Sequence, residues 1–174
     1  VVCIEGDGSS ADTDRTDGFN KYLKGEVEYN GAKIETPWTS LDSVSYSGAT
    51  GWNPANAQSY FETYMSNADN ADTKYIAAWD SGLALAVFDA LEGSAIDEAT
   101  KEAFLANAPY ITGCGGPKTI YTVISGDYTS YPVAEKFGGV MDVTYPPAMI
   151  QDTIQALVDF FDGKDVPLDN TQSA

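Results

Sequence analysis

The sequence predicts a doubly wound α/β domain, with a mainly parallel sheet between two helical layers and strand order 2-1-3-4-5. Three observations lead there. Val1-Val2-Cys3-Ile4-Glu5, Tyr75-Ile76-Ala77-Ala78-Trp79 and Tyr110-Ile111-Thr112-Gly113-Cys114 have the length and composition of strands. Each stops abruptly, at Gly6-Asp7-Gly8-Ser9-Ser10, at Asp80 and at Gly115-Gly116-Pro117. After each stop comes a stretch able to form a helix, and that alternation implies parallel strands with helices on both faces. Ligands of such sheets bind outside the carboxyl ends of the strands. The stops are therefore where a site is expected.

Element by element, residues 13–24 carry Arg15, Phe19, Tyr22 and Leu23 at helical spacing, and Gly25 ends that helix. Residues 32–37 read as a short second strand with Ile34 inward, and the polar stretch 39–50 as a loop. Asn53-Pro54 is an N-cap followed by proline at the first helical position, with Ala57, Phe61, Tyr64 and Met65 as the buried stripe. Asp80-Ser81 starts a helix that points Leu83, Val87, Phe88 and Leu91 inward. A surface helix is expected within 95–108, a short one at 118–124 and a loop over 127–137. Val140-Met141-Asp142-Val143 reads as a fifth strand within 139–145. Pro146-Pro147 then opens an amphipathic helix, 147–162, with Ile150, Ile154, Leu157, Val158 and Phe161 on one face and Gly163 closing it. The remainder reads as a frayed end.

Composition narrows the function. A chain of 174 residues, 43% apolar, is one domain with a real core. Its net charge of −17 opposes nucleic-acid partners and anionic membrane surfaces. No apolar run reaches the length of a membrane span. The chain opens directly on a strand with neither start Met nor leader, which reads as a piece of something longer. With no histidine, imidazole metal sites and His-based triads are excluded. Zinc would have to use Cys3, Cys114 and carboxylates, a poor set, so no metal and no cofactor are expected. The two cysteines fall two strands apart, beyond disulfide reach, and are expected to be free and buried.

Four features sit at the strand ends. Arg15 lies in the first turn of the first helix, either aimed at a ligand or paired on the surface with Asp12 or Asp14. Trp52 precedes the Asn53-Pro54 start, as a ligand platform or a hydrophobic staple. Trp79 and Asp80 end the central strand, where Asp80 also suits a helix cap. Cys114-Gly115-Gly116 is a ligand loop or only a tight turn. Two indoles, one guanidinium and one carboxylate on one edge suit a sugar, whose C–H face stacks on aromatics and whose hydroxyls take forked polar groups. Both tryptophans are accordingly expected to be at least partly exposed. Gly6-Asp7-Gly8-Ser9-Ser10 lacks the Lys of a phosphate loop and the third glycine of the dinucleotide fingerprint, and Asp7 repels phosphate. No nucleophile elbow or acid pair at defined spacing supports catalysis, so no catalytic residue is assigned. An Asp80-based hydrolase or isomerase is the poorest reading.

The order of these features resembles type 1 periplasmic sugar-binding proteins of the ribose and galactose kind. Arg15-Thr16-Asp17-Gly18-Phe19 is similar to their Arg-x-x-Gly-Phe segment after the first strand and turn. Ala78-Trp79-Asp80-Ser81-Gly82-Leu83-Ala84-Leu85 resembles their Asn-Asp-x-x-Ala-x-Gly segment. Thr112-Gly113-Cys114-Gly115-Gly116 stands where they carry Gly-Phe-Asp-Gly, and the segment 156–164 resembles their closing helix with its Gly-Lys exit. The resemblance implies the C-terminal lobe of a two-lobed solute-binding protein, with 1–145 as the ligand-binding lobe and 146–174 as a post-hinge helix and tail. It implies Arg15, Trp52, Trp79, Asp80 and Gly115 as ligand-facing positions and Thr144 at the hinge contact. It further implies a sugar ligand, an N-terminal lobe of the same protein as partner, an ABC permease, no enzymatic activity and an extracytoplasmic location, periplasmic or lipid-anchored at the cell surface. Without the other lobe, helix 147–162 is expected to fold back or to pair with a second copy. Trp79 replaces an Asn, Gly115 an Asp, and Thr144 a Gln or Asn, so the ligand is expected to differ from ribose. The effector domain of a LacI-like regulator is the alternative.

Overall fold

A computed structural model describes residues 1–36, 40–144 and 149–164, with side chains from 154 onward in the last segment. Strand β1 (Val2–Glu5) runs into helix α1 (Ser10–Leu23), followed by the short strands β2 (Glu28–Tyr29) and β3 (Ala32–Lys33). Then come β4 (Ser45–Ala49), α2 (Pro54–Met65), β5 (Tyr75–Ala78), α3 (Ser81–Glu92) and α4 (Glu98–Ala106). The chain continues through β6 (Tyr110–Cys114), α5 (Lys118–Ile124), a 3-10 turn (Pro132–Lys136), β7 (Gly139–Val143) and α6 (Met149–Phe161).

Five strands form one sheet in the order β4-β1-β5-β6-β7, and all four pairings are parallel. The order 2-1-3-4-5 therefore holds, but a different segment fills the second place. The run at 32–37, read as the second sheet strand, instead supplies β3, which pairs only with β2 in a separate hairpin; Pro37 lies outside the described residues. Asn30 (φ 51) and Gly31 (φ 75) close that hairpin with the paired positive φ angles of a tight two-residue turn. The true second strand, β4, lies in the stretch read as a loop. Its Ser-Tyr-Ser-Gly-Ala sequence has little strand propensity, and tertiary bonds supply what propensity does not. Ser45 N–H donates to Val1 O at 2.9 Å, Gly48 N–H to a Glu5 carboxylate oxygen at 2.9 Å, and Glu5 N–H to Ser47 Oγ at 2.9 Å.

Period-2 alternation divides the core between the two sheet faces. Val2, Ile4, Ile76, Ala78 and Ile111 join a large cluster with Phe61 and Met65 of α2, Leu83, Val87 and Phe88 of α3, Phe104 of α4 and Ile120 of α5. Cys3, Ala77 and Trp79 join a smaller one that includes Phe19 of α1. Capping follows the sequence signals: Asn53 Oδ1 accepts the Ala55 amide and Asp80 Oδ1 the Gly82 amide.

Compactness divides the chain into residues 1–143 and 144–174. In the second unit, α6 presents Ile154, Leu157, Val158, Phe160 and Phe161 as exposed side chains. The expected helix start at Pro146-Pro147 lies outside the described residues, as does Tyr145 at the end of the expected strand.

Candidate functional site

The carboxyl end of β1 turns through Gly6-Asp7-Gly8-Ser9 into α1, and Asp12 fixes this loop. Its carboxylate, only 6% exposed, accepts the Gly6 amide through one oxygen and the Gly8 amide through the other, both at 2.7 Å. The amides that would cradle a phosphate are thus already occupied by an internal anion. Asp7 is fully exposed, and its carboxyl is held below the ordinary range by the Ser9 hydroxyl and amide, with the Trp52 indole adding to the effect.

Gly6 also seats Trp52. A Cβ at Gly6 would lie 2.2–2.5 Å from atoms of the Trp52 ring, and Gly51 N–H donates to Gly6 O at 2.8 Å. Trp52 itself has φ 56, a left-handed conformation rarely adopted by a bulky residue and one that clusters at functional sites. Its half-buried ring carries the Arg15 guanidinium, whose central carbon is 5.3 Å from the ring centroid. Arg15 Nη1 donates to the Trp79 carbonyl at 2.6 Å. This is the chain's single arginine. Among the described residues no carboxylate pairs with it, although the chain holds 26 acidic residues. The surface ion pair with Asp12 or Asp14 is therefore not what holds it.

Trp79 departs from expectation. Rather than standing at least partly exposed as a platform, it is 7% exposed. Strand alternation explains this: Trp79 follows Ala77 onto the α1 face, and its amide continues the ladder by donating to Ile4 O at 3.0 Å. Its indole N–H donates to Thr16 Oγ1 at 2.9 Å, and the ring meets Phe19 edge-on at 5.4 Å. Trp79 thus gives the edge a carbonyl.

Asp80 is half-buried and caps α3, with Oδ1 2.7 Å from the Gly82 amide nitrogen. At the end of β6, Gly115 (φ 134) and Gly116 (φ 69) make a turn that side chains would strain. Gly115 N–H donates to Val143 O at 3.0 Å, and Gly116 N–H to Ser81 Oγ at 3.2 Å. Cys114 is half-buried, less covered than expected, and both cysteines are free. Burial pushes its thiol above the ordinary value; Arg15 opposes that rise, while Asp142 and Asp80 add to it, so three charged groups converge on this position. Arg15, Trp52, Asp80 and the Cys114-Gly115-Gly116 turn therefore share one edge. Thr144 is exposed and belongs to the second unit. Sequence reasoning overlooked Asp12, Gly6, Ser81 and Asp142. The short Gly6-to-Asp12 spacing at a helix start was the available signal for the first two.

No group of three or more metal-ligating side chains is found among the described residues. A cavity of about 130 Å³, lined by Phe19, Leu23, Tyr75 and Tyr110 among others, opens at the other end of the strands and shares no residue with this edge.

Residues 1–165 match the family described as periplasmic binding protein domain. The chain belongs to that family. No curated protein and no solved structure matches it. Membership in the periplasmic binding protein domain family accords with the all-parallel sheet flanked by helices. These domains bind solutes, typically outside the cytoplasm, and the regulator alternative is not favoured. No helix among the described residues is long and apolar enough to cross a membrane.

Proposed function

We propose that this periplasmic binding protein domain is one lobe of a two-lobed solute-binding component of an ABC importer. It takes a sugar or a related small polar solute at the edge made by Arg15, Trp52, Asp80 and the Gly115 turn. The observation that carries the reading is the chain's lone arginine, seated on Trp52 and tethered to the Trp79 carbonyl with no carboxylate partner among the described residues. A guanidinium so oriented keeps N–H donors for a ligand's paired oxygens, and the half-buried indole offers a face for C–H groups. Asp80 uses one oxygen as a cap and keeps the other for a hydroxyl. Trp79 acts by orienting Arg15. Thr144 contacts the solute from the hinge, and residues 146–174 are a post-hinge helix and tail. The apolar face of α6 packs on the other lobe in the intact protein, and on a second copy in its absence. The permease of the importer is the membrane partner.

Calorimetry on the two-lobed protein with a panel of monosaccharides tests the reading. Arg15→Gln removes charge-assisted hydrogen bonds, each about 1.5–3 kcal/mol, so affinity for the bound sugar falls roughly 10- to 150-fold. Unchanged affinity in Arg15→Gln, or the absence of any sugar ligand, refutes it.

A further inference from the structure

Strand β7 brings another carboxylate to this edge. Asp142 stands opposite Gly113 in the ladder. Its Oδ1 accepts the hydroxyl of Ser81, a residue with 0% exposure, and the same Ser81 oxygen accepts the Gly116 amide. The other carboxylate oxygen, Oδ2, is buried and has no hydrogen-bond partner among the described residues. Glycine at 113 leaves room for the cluster. A Cβ there would lie 3.0 Å from Ser81 Cα and 3.1 Å from both Asp142 Oδ1 and Ser81 Oγ.

Leaving a buried acceptor unmet is unfavourable, so an unsatisfied group of this kind calls for an explanation. The carboxylate supplies strength along a chain of bonds. Hydrogen bonds to ionised acceptors are about twice as strong as neutral ones. A serine hydroxyl polarised by a carboxylate is in turn a better acceptor for the next donor, here the Gly116 amide. We infer that Asp142 is a positioning residue of the solute site, acting through Ser81 to hold the Gly115-Gly116 turn against the first turn of α3. This rests on the solute reading above, because that edge is what it positions. Residues 79, 80 and 81 then have separate tasks: the Trp79 carbonyl holds Arg15, the Ser81 hydroxyl holds the turn, and the Asp80 carboxylate sits between these two anchors. Loosening Ser81 frees both the turn and the helix start that carries Asp80.

The test uses the 15N-labelled 174-residue chain and the variants Ser81→Ala, Asp142→Ala and Asp142→Asn. Two quantities are read: hydrogen exchange of the Gly116 amide, and amide shifts on titration with D-galactose, D-glucose and maltose, each carried well above millimolar concentration. Losing its acceptor should speed Gly116 exchange about tenfold in Ser81→Ala, and losing the group that holds that acceptor should speed it by a smaller factor, at least about twofold, in Asp142→Ala. The Gly115 amide, bonded to Val143 O, should not respond. Sugar affinity should fall at least about fivefold in both alanine variants, in keeping with a displaced hydrogen-bonding group. Asp142→Asn keeps an acceptor for Ser81 but not its charge, and should recover about half of both effects. Wild-type Gly116 exchange and wild-type sugar affinity in the alanine variants overturn the inference. So does lowered global stability with unchanged affinity, which would make the cluster a fold element only. Ser81→Ala leaves the carboxylate in place and decides the matter if Asp142→Ala does not fold. Absence of shifts in the wild type with every one of these sugars, even well above millimolar concentration, and with Gly116 exchange still responding to Asp142→Ala, refutes the solute reading while supporting the Asp142–Gly116 linkage.

Discussion

Gly6→Ala isolates the seat of Trp52. Gly6 does not use a left-handed φ, so alanine meets no backbone strain there, unlike at Gly8 with φ 78. What alanine meets is the indole, with a Cβ 2.2–2.5 Å from three ring atoms. Carbon atoms settle at about 3.5–4.0 Å, so the ring must shift by more than about 1 Å and the Arg15 guanidinium loses its platform. Overpacking of this kind is unfavourable by about 1–3 kcal/mol, or roughly 2–12 °C in Tm for a domain of this size. Gly8, by contrast, has open space around a Cβ and suffers only its φ penalty. The assay is a double-mutant cycle by chemical denaturation with Gly6→Ala, Trp52→Ala and the pair. Because the clash needs the ring, Gly6→Ala should become nearly harmless in the Trp52→Ala background, giving a coupling of about 1–3 kcal/mol. The Trp52 indole N–H resonance should also move in Gly6→Ala, since that group interacts with Asp7. Equal destabilisation by Gly6→Ala with and without Trp52 would refute the seating argument.

Burial, with a smaller contribution from Glu5, raises the Cys3 thiol from its ordinary 9.0 to about 12. An unfolded Cys3 ionises near 9.0 while the folded one stays neutral, so its contribution is intact below pH 9 and is lost as pH rises toward 12. Denaturation midpoints measured from pH 8 upward should fall less steeply in Cys3→Ala than in the parent; parallel slopes would be the contrary result. Half a cleft leaves one ligand face in water, so the 174-residue chain should bind its sugar no more tightly than millimolar, and micromolar calorimetric binding would contradict the two-lobe proposal. The exposed side chains of α6 should drive the isolated chain to self-associate, each buried apolar side chain contributing about 1.5–3 kcal/mol. Sedimentation should detect dimers that Leu157→Glu abolishes, and a monomer at all concentrations would count against it.

The strands legible in the sequence are those buried enough to need apolar runs. β1, β5 and β6 announce themselves, as do α2 and α3 through Asn53-Pro54 and Asp80. β4 does not, because an edge strand held by Glu5 and by main-chain bonds has no need of aliphatic residues. The Asn30-Gly31 pair is a plain hairpin signal in the sequence, and it marks the turn between β2 and β3. The placement of Arg15, Trp52, Asp80 and Gly115 on one sheet edge was legible because they flank strand ends. The orientation of Trp79 follows from counting by twos from Ala77, and that of Asp142 from its pairing with Gly113, which requires register. Register is a tertiary quantity, set by neighbours that the local sequence does not name.

The carboxylate of Asp12 has a consequence for what this edge refuses. A strand turning through glycines into a helix is, in bare backbone, a socket for anions, since free amides and a helix start both favour negative charge. Here the socket arrives plugged by a side chain from the same helix. Neutral polyols lose nothing by this, because they never competed for those amides. Phosphorylated versions of the same molecules would have to displace a covalently tethered rival, one present at the loop at very high effective concentration. Under the proposed solute reading, the plug is a filter built into the chain, sorting solutes by charge before any contact sorts them by shape.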